Sequence, residues 1–264
     1  MPQSQPDSGP LAIVLAAGQG TRMKSELPKV LVPVGGRPMV RYVVDALRAA
    51  SVERTVLVVG YRSELVRAEF DGEPALAFVE QTEQRGTGHA VMMCREHLAE
   101  HQGPVLIVAG DSPMLQAQSV RALLQAFAEE ECACLLGTVE REDPTGYGRI
   151  VRNARGDFVG IVEEKDATAQ QRSLCEVNVS TYVFDTAWLL AALDQLTDQN
   201  AQGEYYLTDC PALLLAAGKN VRALNILQPC EALSINTLEE LRVVEEELQR
   251  SSSAVNSDTP NQPR

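Results

Sequence analysis

LAIVLAAGQGTRM, residues 11–23, begins with seven apolar residues in succession and ends on a Gly-x-Gly-x-Arg turn. An apolar run this short, without polar alternation, suits a strand covered on both faces, the condition of a parallel sheet. RTVLVVG (54–60), LAFVEQ (76–81) and PVLIVAG (104–110) repeat the pattern. Amphipathic helices are expected between these runs: residues 38–50 set Val40, Val43, Val44 and Leu47 on one face, and residues 87–99 carry Val91, Met92 and Leu98. Strands alternating with helices predict βαβ units and an α/β, Rossmann-like, doubly wound sheet. Such sheets bind ligands beyond the carboxyl ends of their strands, where the glycine-rich turn falls.

After Cys134 the rhythm changes. ACLLGTVE (133–140), GYGRIVRN (146–153), FVGIVEE (158–164) and EVNVSTYVFD (176–185) read as strands, with NARGD (153–157) as a hairpin connection. Helices are expected again at about 186–196 and 207–217, then a strand in VRALNIL and a last helix at about 237–249. The chain divides into a flexible start (1–10), a first half (11–133), a second, β-rich half on a mixed sheet (134–250), and a Ser/Asn/Pro-rich tail (251–264) expected to be disordered.

Net charge is −13 over 264 residues, which argues against a nucleic-acid or anionic-membrane partner. Yet residues 1–50 hold six Lys/Arg (Arg22, Lys24, Lys29, Arg37, Arg41, Arg48) against three acids, a net +3. The cationic groups are therefore expected to crowd around the glycines. Six cysteines without a C-x-x-C pair or histidine ligand spacing argue against a zinc site and read as free thiols. The polar, Pro-rich first ten residues lack the basic and apolar regions of a signal peptide. No apolar stretch approaches the ~20 residues of a membrane span. A cytoplasmic protein is the expectation.

A Gly-x-Gly loop after a buried strand can offer backbone N–H groups to an anion. The dinucleotide pattern G-x-G-x-x-G fails here at Met23, and no Gly-Lys-Ser/Thr closes a Walker loop. Arg22 and Lys29, however, follow on the same excursion, a planar and a point cation suited to a polyphosphate.

The run L-A-A-G-x-G-T-R-M followed by L-P-K resembles the signature of the sugar-1-phosphate nucleotidyltransferases. EQRGTGHA (83–90), GYGRIV (146–151), GIVEEKDAT (160–168) and GEYYLTD (203–209) bring the resemblance to the uridyltransferase part of the bacterial N-acetylglucosamine-1-phosphate uridyltransferases, over about residues 11–245. The resemblance implies a fold of the nucleotide-diphospho-sugar transferase type. It also implies Mg²⁺-dependent attack of N-acetylglucosamine 1-phosphate on the α-phosphorus of UTP, with pyrophosphate leaving. The family's C-terminal acetyltransferase has no counterpart in this sequence, so a separate acetyltransferase is expected to serve the pathway.

By that resemblance Arg22 and Lys29 act on the phosphates, and Leu15, Ala16, Ala17, Gly18, Gly20, Gln81, Gly86 and Thr87 hold the nucleotide. Gly148, Glu163, Asn178, Tyr206 and Thr208 hold the sugar, and Asp111 and Asn236 hold the metal. Each residue also has a plainer reading. Asp111 before Ser-Pro could open a helix, Asn236 or Thr237 could cap the last one, Gln81 could end a strand, and Glu163 could be a solvated turn charge. His89 reads as a structural residue of a first helical turn. Four residues depart from the family pattern, Ala109, Val179, Ser180 and Ser234. They leave open a nucleotidyltransferase for another sugar phosphate or nucleotide, or a non-catalytic sugar-nucleotide binder.

Overall fold

The computed structural model describes residues 9–257 except Lys24; most of the expected flexible start (1–10) and the end of the expected disordered tail, residues 258–264, lie outside the described residues. In chain order the elements are β1 (Leu11–Ala16), a short hairpin β2 (Pro33–Val34) and β3 (Arg37–Pro38), α1 (Met39–Ala49), β4 (Arg54–Val59), α2 (Ser63–Glu69), β5 (Leu76–Glu80), α3 (Thr87–Met92), α4 (Arg95–Ala99), β6 (Pro104–Ala109) and α5 (Ala117–Glu130). The second half adds β7 (Cys134–Glu140), β8 (Gly148–Arg152), β9 (Phe158–Val162), α6 (Ala169–Arg172), β10 (Glu176–Asp185), α7 (Thr186–Leu193), α8 (Cys210–Ala216), β11 (Val221–Leu224) and α9 (Leu238–Ser257).

Among the described residues, nine strands form one mixed sheet in the order β11-β7-β10-β6-β1-β4-β5, with β8 paired to β10 and β9 to β8. The four apolar runs of the first half are its parallel part, β6-β1-β4-β5. Both faces of β1 are covered, which explains its unbroken apolar sequence. Leu11 and Ile13 pack with Val91, Cys94, Leu98 and Leu193 on one side. Ala12, Val14 and Ala16 pack with Val40, Val44, Leu47 and Leu123 on the other. β10 enters beside β6 and runs antiparallel to it, with Tyr182 opposite Ile107 and Asp185 opposite Pro104. The amino-terminal end of β10 therefore lies at the carboxyl edge of the parallel strands.

Three features differ from the sequence-based expectation. Residues 87–99 form two helices, α3 and α4, with a break around Met93 and Cys94. The buried positions Val91, Cys94 and Leu98 stay on one face across the break, so apolar spacing does not register it. α9 continues to Ser257, beyond the boundary set at residue 250; once begun, a helix adds residues at low cost regardless of a polar sequence. The basic residues of the first fifty, finally, do not all gather at the glycine turn. Arg37 pairs with Asp45, Arg41 with Glu69 and Glu73, and Arg48 with Glu73, leaving Arg22 and Lys29 at the loop among the described residues.

Candidate active site

Arg22 and Asn236 each stand next to an apolar anchor, Met23 and Ile235. Met23, Met114 and Ile235 are buried together with Val32, Val34 and Met39 in a cluster beyond the carboxyl edge of the sheet. That packing draws the turn at 21–23, the segment after β6 and the approach to α9 to one place, and their polar neighbours meet above it. Lys29 Nζ donates to Asn236 Oδ1 at 2.7 Å and to the Asp111 carboxylate, while Arg22 donates to the same Asn236 oxygen at 2.8 Å. Four residues separated by up to 214 positions thus form one contact group.

The plainer readings of Asp111 and Asn236 can be settled from these contacts. Asp111 caps no helix, since α5 starts at Ala117 with Gln116 at its N-cap position. Thr237 takes the capping role at α9: its hydroxyl accepts from Glu240 N at 3.2 Å, and Glu240 accepts from Asn236 N at 2.7 Å. The side chain of Asn236 is left for the cations.

Two cavities meet at this cluster. A cavity of about 400 Å³ is lined by Leu15, Ala17, Gly18, Lys29, Gln81 and Thr87 among others; one of about 260 Å³ is lined by Arg22, Gly148, Glu163, Asn178, Val179 and Asn236 among others. Ala109, Asp111 and Ser180 belong to both. The junction follows from the topology, because β6 ends and β10 begins side by side. Ser180 sits at an irregularity of β10 between Asn178 and Tyr182 with φ +57°, a conformation in which non-glycine residues are uncommon.

In the larger cavity the backbone is held open by short contacts. Gly20 has φ +68°, and a Cβ there would lie 2.8 Å from Lys29 Cβ, so the turn can carry Lys29 only with glycine at that position. Gly86 has φ +103° and packs against Tyr205, so the EQRGTGHA and GEYYLTD motifs dock on each other; Gly88 N donates to Tyr205 O at 2.8 Å and Leu207 N to Thr87 Oγ1 at 3.1 Å. Gln84, passed over in the sequence, donates from Nε2 to Ala17 O at 2.7 Å and lines the cavity. Ala16 is buried in the core and Gly20 touches Lys29, and neither lines either of these two cavities.

In the smaller cavity Gly148, Asn178 and Glu163 adjoin: a Cβ on Gly148 would lie 3.6 Å from Asn178 Cβ and from Glu163 Oε1. Burial pushes the Glu163 carboxyl up from its ordinary range, opposed by the Thr208 hydroxyl, which donates at 2.9 Å, and reinforced by Asp209, Asp166 and Glu204. Thr208 reaches the cavity only through Glu163, and Tyr206 turns its hydroxyl to Gln202 and Asp166; neither lines the cavity. Glu164 points the other way and pairs at 2.7 Å with the buried Arg149, so of the two adjacent glutamates Glu163 is the one in the cavity. Thr145, Gly146 and Tyr147 add a rim that the sequence reading did not single out.

Asp111 and Asn236 direct two hard oxygens at one cation, here the Lys29 ammonium. Among the described residues no group of three or more His, Cys, Asp or Glu could hold a metal. Two protein oxygens suit Mg²⁺, which keeps several waters and completes its shell with substrate phosphates. Among the described residues no helix is long and apolar enough to cross a membrane.

Comparison with known proteins bears on the whole arrangement. The chain is 44% identical over 234 residues to the bifunctional protein GlmU of Streptococcus pyogenes serotype M1, covering 89% of this chain and 50% of the relative. It is 43% identical over 239 residues to GlmU of Pelotomaculum thermopropionicum, covering 90% and 52%. It thus spans about half the length of the curated relatives it matches. A crystal structure of UDP-glucose pyrophosphorylase complexed with UDP-glucose superimposes with a TM-score of 0.75 at 15% identity, over 92% of this chain and 99% of the other, and so shares the fold. Residues 12–205 match the family model described as the MobA-like NTP transferase domain, and to that family the chain belongs.

Proposed function

We propose that the protein transfers UMP from UTP to N-acetylglucosamine 1-phosphate, giving UDP-N-acetylglucosamine and pyrophosphate. The observation that carries the reading is the meeting of two cavities at Asp111, beside Lys29 and Arg22. The GlmU relatives, matched over about half their length, supply the substrates. A nucleotide in the larger cavity and a sugar phosphate in the smaller would bring nucleophile and α-phosphorus together at the junction.

In this reaction the protein forms no covalent bond, and rate comes from positioning and charge neutralisation. Gln81, Gln84 and the backbone around Gly18 and Gly86 hold the nucleotide. Lys29 and Arg22 stabilise the charge that develops on the phosphates as the P–O bond to pyrophosphate breaks. Glu163 and Asn178 orient the sugar through its hydroxyl and amide groups, with Thr208 fixing the Glu163 carboxyl. Asp111 and Asn236 would hold Mg²⁺, which when bound supplies electrostatic stabilisation at the phosphates. The free cysteines favour a reducing, cytoplasmic setting.

The test is pyrophosphate release from UTP with N-acetylglucosamine 1-phosphate. Lys29→Ala and Asp111→Ala are each expected to lower kcat by about 10²–10³, the scale of removing one preorganised charge. Full activity in both would reject the reading. Val179 and Ser234 line the smaller cavity, which favours as second reading a related sugar phosphate. A panel of sugar phosphates and nucleoside triphosphates decides between them.

A further inference from the structure

Among the described residues four that are not glycine have a positive φ. Ser51, Arg62 and Glu131 border α1, α2 and α5, whereas Ser180, at φ +57°, lies inside β10. The ladder between β10 and β7 passes from the pair Asn178 and Thr138 to the pair Tyr182 and Leu136, so three residues of β10 stand against Gly137. The surplus is held as a turn, with Ser180 N donating to Asn178 Oδ1 at 3.2 Å. A serine held left-handed costs free energy that a glycine there would not. It occupies the place where the two cavities meet, beside Ala109 and Asp111, and its hydroxyl has no hydrogen-bond partner among the described residues. Glycine would make this turn with less strain; what serine adds is a hydroxyl at the junction.

We propose that Ser180 is a substrate-positioning residue whose hydroxyl donates to the phosphate of the incoming sugar 1-phosphate. A phosphate monoester has three equivalent terminal oxygens, of which one attacks the α-phosphorus. A donor that holds another of them turns the attacking oxygen into line. The bond that forms joins that oxygen to the α-phosphorus, the bond that breaks leads to pyrophosphate, which leaves with the electron pair, and the serine gives up no proton. The sugar phosphate is favoured over the nucleotide because Ser180 follows Asn178 and Val179, which line the smaller cavity, while Lys29 and Gly18 already line the larger one. The inference deepens the proposed function and rests on it.

Ser180→Ala removes the hydroxyl and keeps the strain of a side chain, whereas Ser180→Gly removes both. The readouts are kcat and KM for pyrophosphate release, the melting temperature, and two dissociation constants by calorimetry. These are for α,β-methylene UTP, whose P–C bond does not react, and for N-acetylglucosamine 1-phosphate with that analogue bound. Both variants are expected to lower kcat/KM for the sugar phosphate about 10–100-fold and to weaken its binding, the scale of one hydrogen bond to a charged group, and to leave the nucleotide constant unchanged. Ser180→Gly should melt about 2–4 °C above the parent, and Ser180→Ala no higher than the parent. Unchanged kcat/KM in both variants overturns the assignment. So does a loss that falls on the nucleotide constant, which would place the hydroxyl on the nucleotide, and so does full activity in Ser180→Gly with a loss in Ser180→Ala, which would make strain the whole effect. A parent that binds the sugar phosphate more tightly than Ser180→Ala does, yet releases no pyrophosphate, rejects the proposed function and leaves Ser180 its role; a parent that binds no sugar phosphate rejects both.

Discussion

Glu163 carries its charge where water is scarce, and that gives it a pH signature. Its folded pKa lies above the ordinary carboxylate range because of burial, so the folded protein binds this proton more tightly than the unfolded chain. The stability this linkage contributes is complete below the unfolded pKa and is lost as pH rises through the raised folded value. Glu163→Gln should therefore melt above the parent at pH 7, by about 2–4 °C for each kcal/mol gained, with the gap closing as pH falls into the carboxylate range. Scanning calorimetry at several pH values checks it, and the same variant should bind the sugar phosphate more weakly. The thiols sort by the same physics. Burial pushes Cys94 up to about 12 and Cys132 up to about 11, and raises Cys134 and Cys210 further, whereas Cys175 is exposed. Iodoacetamide at neutral pH should label Cys175 first, read by peptide mass spectrometry. At this scale the sequence shows residue types and not their company. Arg22 and Lys29 stood out through their motif, but Asp111 and Asn236 could equally have been helix caps until their oxygens were found on one ammonium. Gln84 and Tyr147 carried no signal of their own, since a glutamine or tyrosine in a loop is usually surface.

The glycine turn is an element in which two similar residues have different tasks. Gly20→Ala places a side chain at φ +68° and against Lys29, and should cost about 1 kcal/mol or more of stability together with activity, because Lys29 is displaced from Asn236. Gly18→Ala meets no atom within 4 Å, so its melting temperature should stay at the parental value while nucleotide affinity falls, as the methyl enters the larger cavity. Thermal melts paired with nucleotide titrations separate the two. The strands were legible wherever the sheet covers both faces, since β1, β4 and β6 are unbroken apolar runs. α2 and α5 were not singled out. α2 has one fully buried residue, Val66, too few for apolar spacing to mark, whereas α5 does carry Val120, Leu123, Leu124 and Phe127 at helical spacing. The hairpin of β2 and β3 is two residues per strand, shorter than any pattern can report.

Across the whole molecule, the division into residues 11–133 and 134–250 is one of sequence, while the sheet runs through both. β6 belongs to the first half and its neighbour β10 to the second. A fragment ending at residue 133 would leave β6 an open apolar edge, Val105 to Val108, with no ladder partner on that side. It is expected to aggregate alone on size exclusion, and to give a monodisperse, nucleotide-binding species when expressed with residues 134–264. Topology of this kind is hard to read from sequence, because strand order is set by long-range pairing and not by local pattern. The alternating first half announced itself; the reversal of β10 did not.

That reversal governs how the molecule can move. Tyr182 to Asp185 are laced by main-chain hydrogen bonds to β6 on one side and, up to Phe184, to β7 on the other. β10 is thus anchored on both sides away from the cavities, while at their junction Ser180 lies in the irregular stretch between Asn178 and Tyr182, where the ladder to β7 is interrupted. Give between the two cavities is therefore expected in that unpaired stretch and in the loops along the rim, while the strand beyond it keeps its place in the sheet.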